Sequence, residues 1–227
     1  MSELSEFLQY VPIFSDLPDE AIERIAKIGY VKNFDKDSVI LMEDEDGSAM
    51  FFIIEGKVKI SRISTDGKEV ILSVLGKSEF FGEMSILDGL SRSATVIALE
   101  PSKVFIIHRN EFLELLTKHP EISIPLLQEL TSRLRTADMK IKSLSLKDAE
   151  GKVATVILQL ADTQGKVRGG VVEIDEMPLQ QDLANMAGTS RETISRTLHA
   201  FAKKGVIEME GSKLRILNYE KFLEQYG

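Results

Sequence analysis

Cysteine is absent from the 227 residues of this chain, which excludes disulfides, thiolate metal centres, thiol redox sensing and cysteine-held iron–sulfur clusters. Histidine is scarce: only His108, His119 and His199 occur, scattered and away from metal-site spacing, so neither a metal nor a haem site is expected. No apolar run reaches the length of a membrane span, and the opening Met1 to Glu6 is acidic without an apolar signal core. A cytoplasmic chain with no membrane partner is expected. Nor do a nucleophile, a base and an orienting group occur together in a recognisable motif, which sets enzymatic activity aside.

Basic charge is also in deficit. With 28 Lys and Arg against 36 Asp and Glu, the formal net charge is -8 and the pI near 5.1, at first sight unfavourable to nucleic acid. The acids crowd elsewhere, however, as in Glu43-Asp44-Glu45-Asp46, which reads as a solvated loop. Arg191, Arg196, Lys203, Lys204, Lys213 and Arg215 gather around one segment, so local charge outranks the total. A hydrophobic share of 43% with 28% charged residues is that of an ordinary globular chain, long enough for one large or two small domains.

The periodicity divides the chain. Pro18 and Asp19 open a helix carrying Ile22, Ile25 and Ala26. From Tyr30 to His108 the pattern is short β-prone runs: Val39–Met42, Met50–Ile54, Val58–Ile63, Val70–Leu75, Ala94–Leu99 and Val104–Ile107. Gly47, Gly56, Gly67 and Gly76 punctuate them, which predicts hairpins closing into a roll or barrel. After Pro125 the period becomes three and a half: Leu127, Leu130, Leu134, Ala137, Ile141 and Leu144 form a heptad seam. The stripe fits either a dimer interface or packing on the helix's own roll. Its restriction to a and d positions, with Glu129, Arg133, Arg135, Lys140 and Lys142 alongside, favours the dimer. Asp148 is a good N-cap for a following helix through Val153, Val156, Ile157 and Leu160, and the stretch Gly165 to Gly170 reads as a loop. The expected class is α+β, with a jelly-roll-like β-roll over 1–121, a long dimerisation helix over 122–147 and a winged helix-turn-helix over 148–227.

The last assignment rests on Leu179 to Leu198. Ala184 is small enough for a second helix to approach, Gly188 permits a tight turn, and Ile194 with Leu183 and Leu198 fills the wedge. Ordinary helical hairpins share this spacing, but three features point further. Thr189 or Ser190 supplies an N-cap hydroxyl, with Thr189 and Glu192 fitting a capping box. Lys203-Lys204-Gly205 suits a helix end. Val206–Glu210 and Lys213–Leu217 flank Gly211-Ser212 as a wing would. Arg191, Glu192, Ser195, Arg196 and His199 then share the outward face of the second helix, which suits the major groove of double-stranded DNA.

A second cassette lies at Phe80-Phe81-Gly82-Glu83-Met84-Ser85-Ile86-Leu87, followed by Arg92-Ser93-Ala94-Thr95-Val96. Gly82 lets the backbone approach an anion, a helical turn from Glu83 through Met84 to Leu87 aims free N–H groups at it, and Arg92 offers a charge-assisted fork. Glu83 suits a ribose hydroxyl on the same ligand. The alternative is a surface ion pair between Arg92 and Glu83, worth little.

With both motifs in place, the chain resembles the bacterial cyclic-AMP receptor and fumarate-nitrate regulator superfamily of transcription factors over essentially its whole length. The resemblance implies that Gly82, Glu83, Arg92 and Ser93 hold the ribose and cyclic phosphate of cyclic AMP or a related nucleotide, with Leu72, Ser73 and Leu75 near the base. It implies that Arg191, Glu192 and Arg196 read a half-site resembling TGTGA, with Ser195 placed as in the fumarate-nitrate type. A homodimer and contact with RNA polymerase follow as expectations. The chain departs from the cyclic-AMP receptor at the two helix positions that meet the adenine across the dimer, where Ala137 cannot hydrogen-bond through its side chain and Asp138 brings a charge. Asp138 would accept from an exocyclic amine. Two alternatives stay open: an effector-independent regulator of the same fold, and a nucleotide-binding module whose helix-turn-helix contacts protein.

Overall fold

The hairpins marked by glycine assemble into two four-stranded antiparallel sheets, and a third such sheet closes the C-terminal part of the chain. The computed structural model describes residues 2–227. The chain divides into two units, the first ending at Leu134 and the second spanning Arg135–Gly227. In the first, α1 (Glu3–Gln9) and α2 (Asp19–Ile28) precede β1 (Tyr30–Phe34), β2 (Val39–Leu41), β3 (Ala49–Glu55), β4 (Val58–Ile63), β5 (Glu69–Leu75) and β6 (Phe80–Phe81). There follow α3 (Glu83–Asp88), β7 (Thr95–Ala98), β8 (Ser102–His108), α4 (Arg109–Lys118) and the long α5 (Ser123–Leu146), which continues into the second unit. That unit adds α6 (Ala149–Gln164), β9 (Lys166–Arg168), β10 (Val171–Ile174), α7 (Gln180–Ala187), α8 (Arg191–Lys203), β11 (Ile207–Glu210), β12 (Lys213–Ile216) and α9 (Tyr219–Tyr226).

The roll pairs the sheet β1-β8-β3-β6 with the sheet β2-β7-β4-β5. In β3 every residue from Ala49 to Ile54 is buried, because both faces of the strand are covered. Met50, Phe52 and Ile54 pack with Phe14, Ile22 and Phe112 of the helical layer, whereas Ala49, Phe51 and Ile53 enter the interior of the roll beside Val58, Leu75 and Val96. The rings of Phe51 and Phe81 stack there, 5.0 Å apart and 6° from parallel.

The second unit folds around α6. Asp148 caps it, its carboxylate accepting from the Gly151 N–H at 2.8 Å. Val153, Ala154 and Ile157 meet Leu183 and Ala184 of α7, Ile194, Leu198 and Phe201 of α8, and Leu214 and Ile216 of β12. Gly188 closes α7 with φ +59°, and Gly211 turns β11 into β12. The stretch expected as a loop over Gly165 to Gly170 instead contains β9, which pairs with β10 and makes the wing a four-stranded sheet, β11-β12-β10-β9. A three-residue strand is too short to leave a period in the sequence; its partner defines it.

Candidate functional site

The anion cassette forms where β6 runs into α3. Gly82 takes φ +81°, and a Cβ there would fall 2.8 Å from Nη1 of Arg92 and 3.1 Å from the Ala49 carbonyl oxygen. Conformation and space both demand glycine. Arg92 is 4% exposed. Its Nη1 donates to the Gly82 carbonyl at 2.9 Å and its Nη2 to the Ala49 carbonyl at 2.8 Å, while the guanidinium carbon sits 5.7 Å from the centre of the Phe51 ring. Nε has no partner among the described residues. Burial lowers the pKa of Arg92 and nearby Glu83 opposes the shift, so the group stays charged. The two carbonyl oxygens each take a hydrogen bond from it without neutralising it, and a buried cation of this kind favours an anion.

The Arg92–Glu83 ion pair, the alternative read from sequence, is not the one that forms. Buried Glu83 instead accepts from Nη1 of Arg133 on α5 at 3.2 Å. Arg133 also donates to the Phe80 carbonyl at 2.8 Å and to Glu129 at 2.8 Å, and lies 4.5 Å from the centre of the Phe80 ring. Sequence reasoning missed it. The spacing of Glu129 and Arg133 signals only a local helical pair, and nothing in the heptad pattern points fifty residues back to Glu83.

The other cassette residues are distributed unevenly. The Ser93 hydroxyl is exposed and lies 3.4 Å from the Met84 sulfur. Ser73 and Leu75 fall with Ile71 on the inward alternation of β5, but Leu72 is exposed on the opposite face and is not brought inside with them. Ala137 and Asp138 are exposed on the part of α5 belonging to the second unit. In the apolar stripe Leu127, Leu134, Ala137, Ile141 and Leu144 are exposed, whereas Leu130 is drawn against the first core next to Leu126. Leu144 reaches the helix-turn-helix corner, where a Cβ on Gly188 would fall 2.7 Å from its Cδ2.

The second surface is α8. Ile194, Thr197, Leu198 and Phe201 are buried, which turns Arg191, Glu192, Arg196 and His199 outward with Ser195 at the margin. The Ser190 hydroxyl accepts from the Thr193 N–H at 3.1 Å. The capping box expected from Thr189 and Glu192 therefore does not form, because the Thr189 N–H bonds the Ala184 carbonyl at 3.0 Å and belongs to the preceding turn. His199 places Nδ1 2.8 Å from the Ser195 carbonyl.

The basic cluster is smaller than its sequence suggests. Lys213 pairs with Asp175 at 3.0 Å, Arg215 with Glu173 at 2.6 Å and Lys204 with Glu150 at 2.6 Å. The cause is register: β10 sets Glu173 directly opposite Arg215, and oppositely charged cross-strand neighbours attract. Among the described residues Arg191, Arg196 and Lys203 remain without an ion pair. No group of three potential ligand side chains that could hold a metal, and no helix long and apolar enough to cross a membrane, occurs among the described residues.

Residues 31–119 match the family described as cyclic nucleotide-binding domain, and residues 151–225 match that described as Crp-like helix-turn-helix domain. The chain is 33% identical to the CRP-like cAMP-activated global transcriptional regulator of Mycobacterium tuberculosis, over 96% of this chain and 97% of that one. It is 33% identical to the cyclic AMP receptor protein of Thermus thermophilus, over 87% of this chain and 88% of that one. The solved structure of FixK2 from Bradyrhizobium japonicum superposes with a TM-score of 0.77 at 21% identity, covering 88% of this chain and 98% of that one, and so shares the fold.

Proposed function

Because the chain belongs to the cyclic-AMP receptor and fumarate-nitrate regulator family of transcription regulators, we propose that it acts as a homodimeric, effector-controlled DNA-binding protein of the cytoplasm. The observation that carries the effector half is Arg92, buried, charged and unpaired at Nε beside Gly82 and Glu83. Cyclic AMP or a related cyclic nucleotide fits this site, its phosphate against Arg92, Ser93 and the backbone after Gly82, its ribose hydroxyl toward Glu83, its base near Ser73 and Leu75. Met84 flanks Ser93, and Asp138 offers a carboxylate to a base amine across the dimer. Arg133 already occupies one oxygen of Glu83; it contributes by joining the cassette to α5.

In this reading residues 1–121 form the effector domain, 122–147 the dimerisation helix and 148–227 the DNA-binding domain. The exposed stripe at Leu127, Leu134, Ala137, Ile141 and Leu144 supports pairing with a second copy, since apolar a and d positions left in water gain by burial against a like helix. Arg191 and Arg196 donate to guanine, Glu192 accepts from cytosine, Ser195 and His199 border the same face, and Thr189 and Ser190 lie at its entry. Two-fold symmetry requires a palindromic operator resembling TGTGA in each half, with half-sites about one helical turn apart. RNA polymerase is the expected downstream partner, and the chain performs no catalysis.

The experiment is operator binding by the full-length protein, freed of nucleotide, with and without cyclic AMP. Tightening by roughly 5- to 150-fold is expected, the range of an ordinary coupling free energy. Full affinity in nucleotide-free protein would overturn effector control in favour of a regulator set by its abundance, and equal affinity for operator and random DNA would overturn base reading.

A further inference from the structure

We propose that Met84 is a peroxide-sensitive modification site, and that conversion of its thioether to the sulfoxide weakens effector binding. The proposal rests on the effector reading above and adds a second input, oxidation, to the same site.

With no cysteine in the chain, the sulfur left for a peroxide to oxidise is the methionine thioether. Met50 is wholly buried in the first core, whereas Met42, Met84, Met139 and Met209 are exposed. Met84 differs from the other three in where it stands. It is the second residue of α3, directly after the Gly82–Glu83 step, and is 51% exposed. Its sulfur accepts a hydrogen bond from the Ser93 hydroxyl at 3.4 Å. Ser93 is itself exposed and follows Arg92, the buried guanidinium of the cassette. An oxidisable sulfur and the hydroxyl assigned to the effector phosphate are therefore in direct contact.

Hydrogen peroxide is the oxidant. The sulfur lone pair attacks one peroxide oxygen, the O–O bond breaks as the S–O bond forms, and the released hydroxide takes the proton from the new S–OH and departs as water. The thioether loses two electrons and the peroxide gains them. A thioether is a weak acceptor, so in the unmodified protein the Ser93 hydroxyl exchanges it readily for a charged phosphate oxygen. A sulfoxide is polar, with the negative end of its dipole on oxygen. The methionine side chain is flexible, so that oxygen reaches the hydroxyl the sulfur already meets. It then holds Ser93 more strongly and turns partial negative charge toward the place of an incoming anion. Both effects oppose effector binding, and enzymatic reduction of the sulfoxide reverses them.

The test treats the full-length protein, freed of nucleotide, with hydrogen peroxide, locates added oxygen by peptide mass spectrometry, and measures affinity for cyclic AMP and cyclic GMP by calorimetry before and after. Parent and Met84→Leu are compared, and melting without nucleotide is recorded for each. The treated parent should carry one added oxygen on Met84 and bind its preferred nucleotide about tenfold more weakly. Its melting temperature should hold, because this side chain lies in solvent, and methionine sulfoxide reductase should restore the affinity. Met84→Leu, which retains Met42, Met139 and Met209, should give one affinity before and after treatment, whatever its starting value. Undiminished affinity in parent carrying the Met84 sulfoxide would overturn the proposal, as would Met84 staying unmodified while the other exposed methionines oxidise, or an equal loss in treated Met84→Leu. Binding of neither nucleotide by the untreated parent would overturn it together with the effector reading.

Discussion

Two guanidinium groups with the same chemistry do different work because their surroundings differ. Arg92 is locked to the carbonyls of Gly82 and Ala49, so Arg92→Ala should weaken the roll itself by about 2 kcal/mol as well as remove anion affinity, measurable as a lower denaturation midpoint without any ligand. Arg196, by contrast, is exposed and without an ion pair among the described residues. Arg196→Ala should leave the midpoint unchanged and lose about 1 to 3 kcal/mol on the cognate operator only, a loss absent from random DNA in a titration series. Among carboxylates, Asp175 is held down to about 2 by the hydrogen bond from Lys166 and then that from Lys213. Its folded value lies below the unfolded one, so the stabilisation it brings is present above about pH 4 and is lost as the pH falls through 2. A carboxyl resonance titration should find this midpoint, and Asp175→Asn should remove the wing's response in that window.

At the scale of elements, the entry to α8 has one cap. Ser190→Ala should destabilise the second unit by about 1 kcal/mol, whereas Thr189→Ala, which removes no capping bond, should be nearly silent; chemical denaturation of the two variants decides between this cap and a capping box. The turn before it is constrained twice. Gly188→Ala forces a side chain into a left-handed conformation at about 1 to 2 kcal/mol and drives its Cβ against Leu144, 2.7 Å away. Adding Leu144→Ala should recover the steric part of the loss and leave the conformational part.

For the molecule as a whole, the net charge of -8 and the affinity for DNA are reconciled by where the cations remain unpaired. If the wing cations are neutralised by Glu173 and Asp175, replacing Lys213 and Arg215 by alanine should change the salt dependence of operator binding little. Each of Arg191, Arg196 and Lys203 that meets a phosphate should lower the slope of log affinity against log salt by about 1 when removed.

The order of the parts is legible in the chain alone: glycine-punctuated period-two runs, then a heptad, then Ala184, Gly188 and Ile194 at helix-turn-helix spacing. These are local signals, since backbone conformation and face periodicity are set within a few residues. The Gly82 to Ser93 cassette was equally readable, its glycine and arginine close together in the chain. What folding adds is that Glu83 answers to Arg133, that the wing cations are spent on Glu173 and Asp175, and that Thr189 serves the turn rather than the cap. Each is a pairing across strands or between distant segments, or a competition for one backbone donor. Charge, hydrogen bonds and burial act through space, and one-dimensional spacing carries no record of which neighbour lies nearest once the chain has folded.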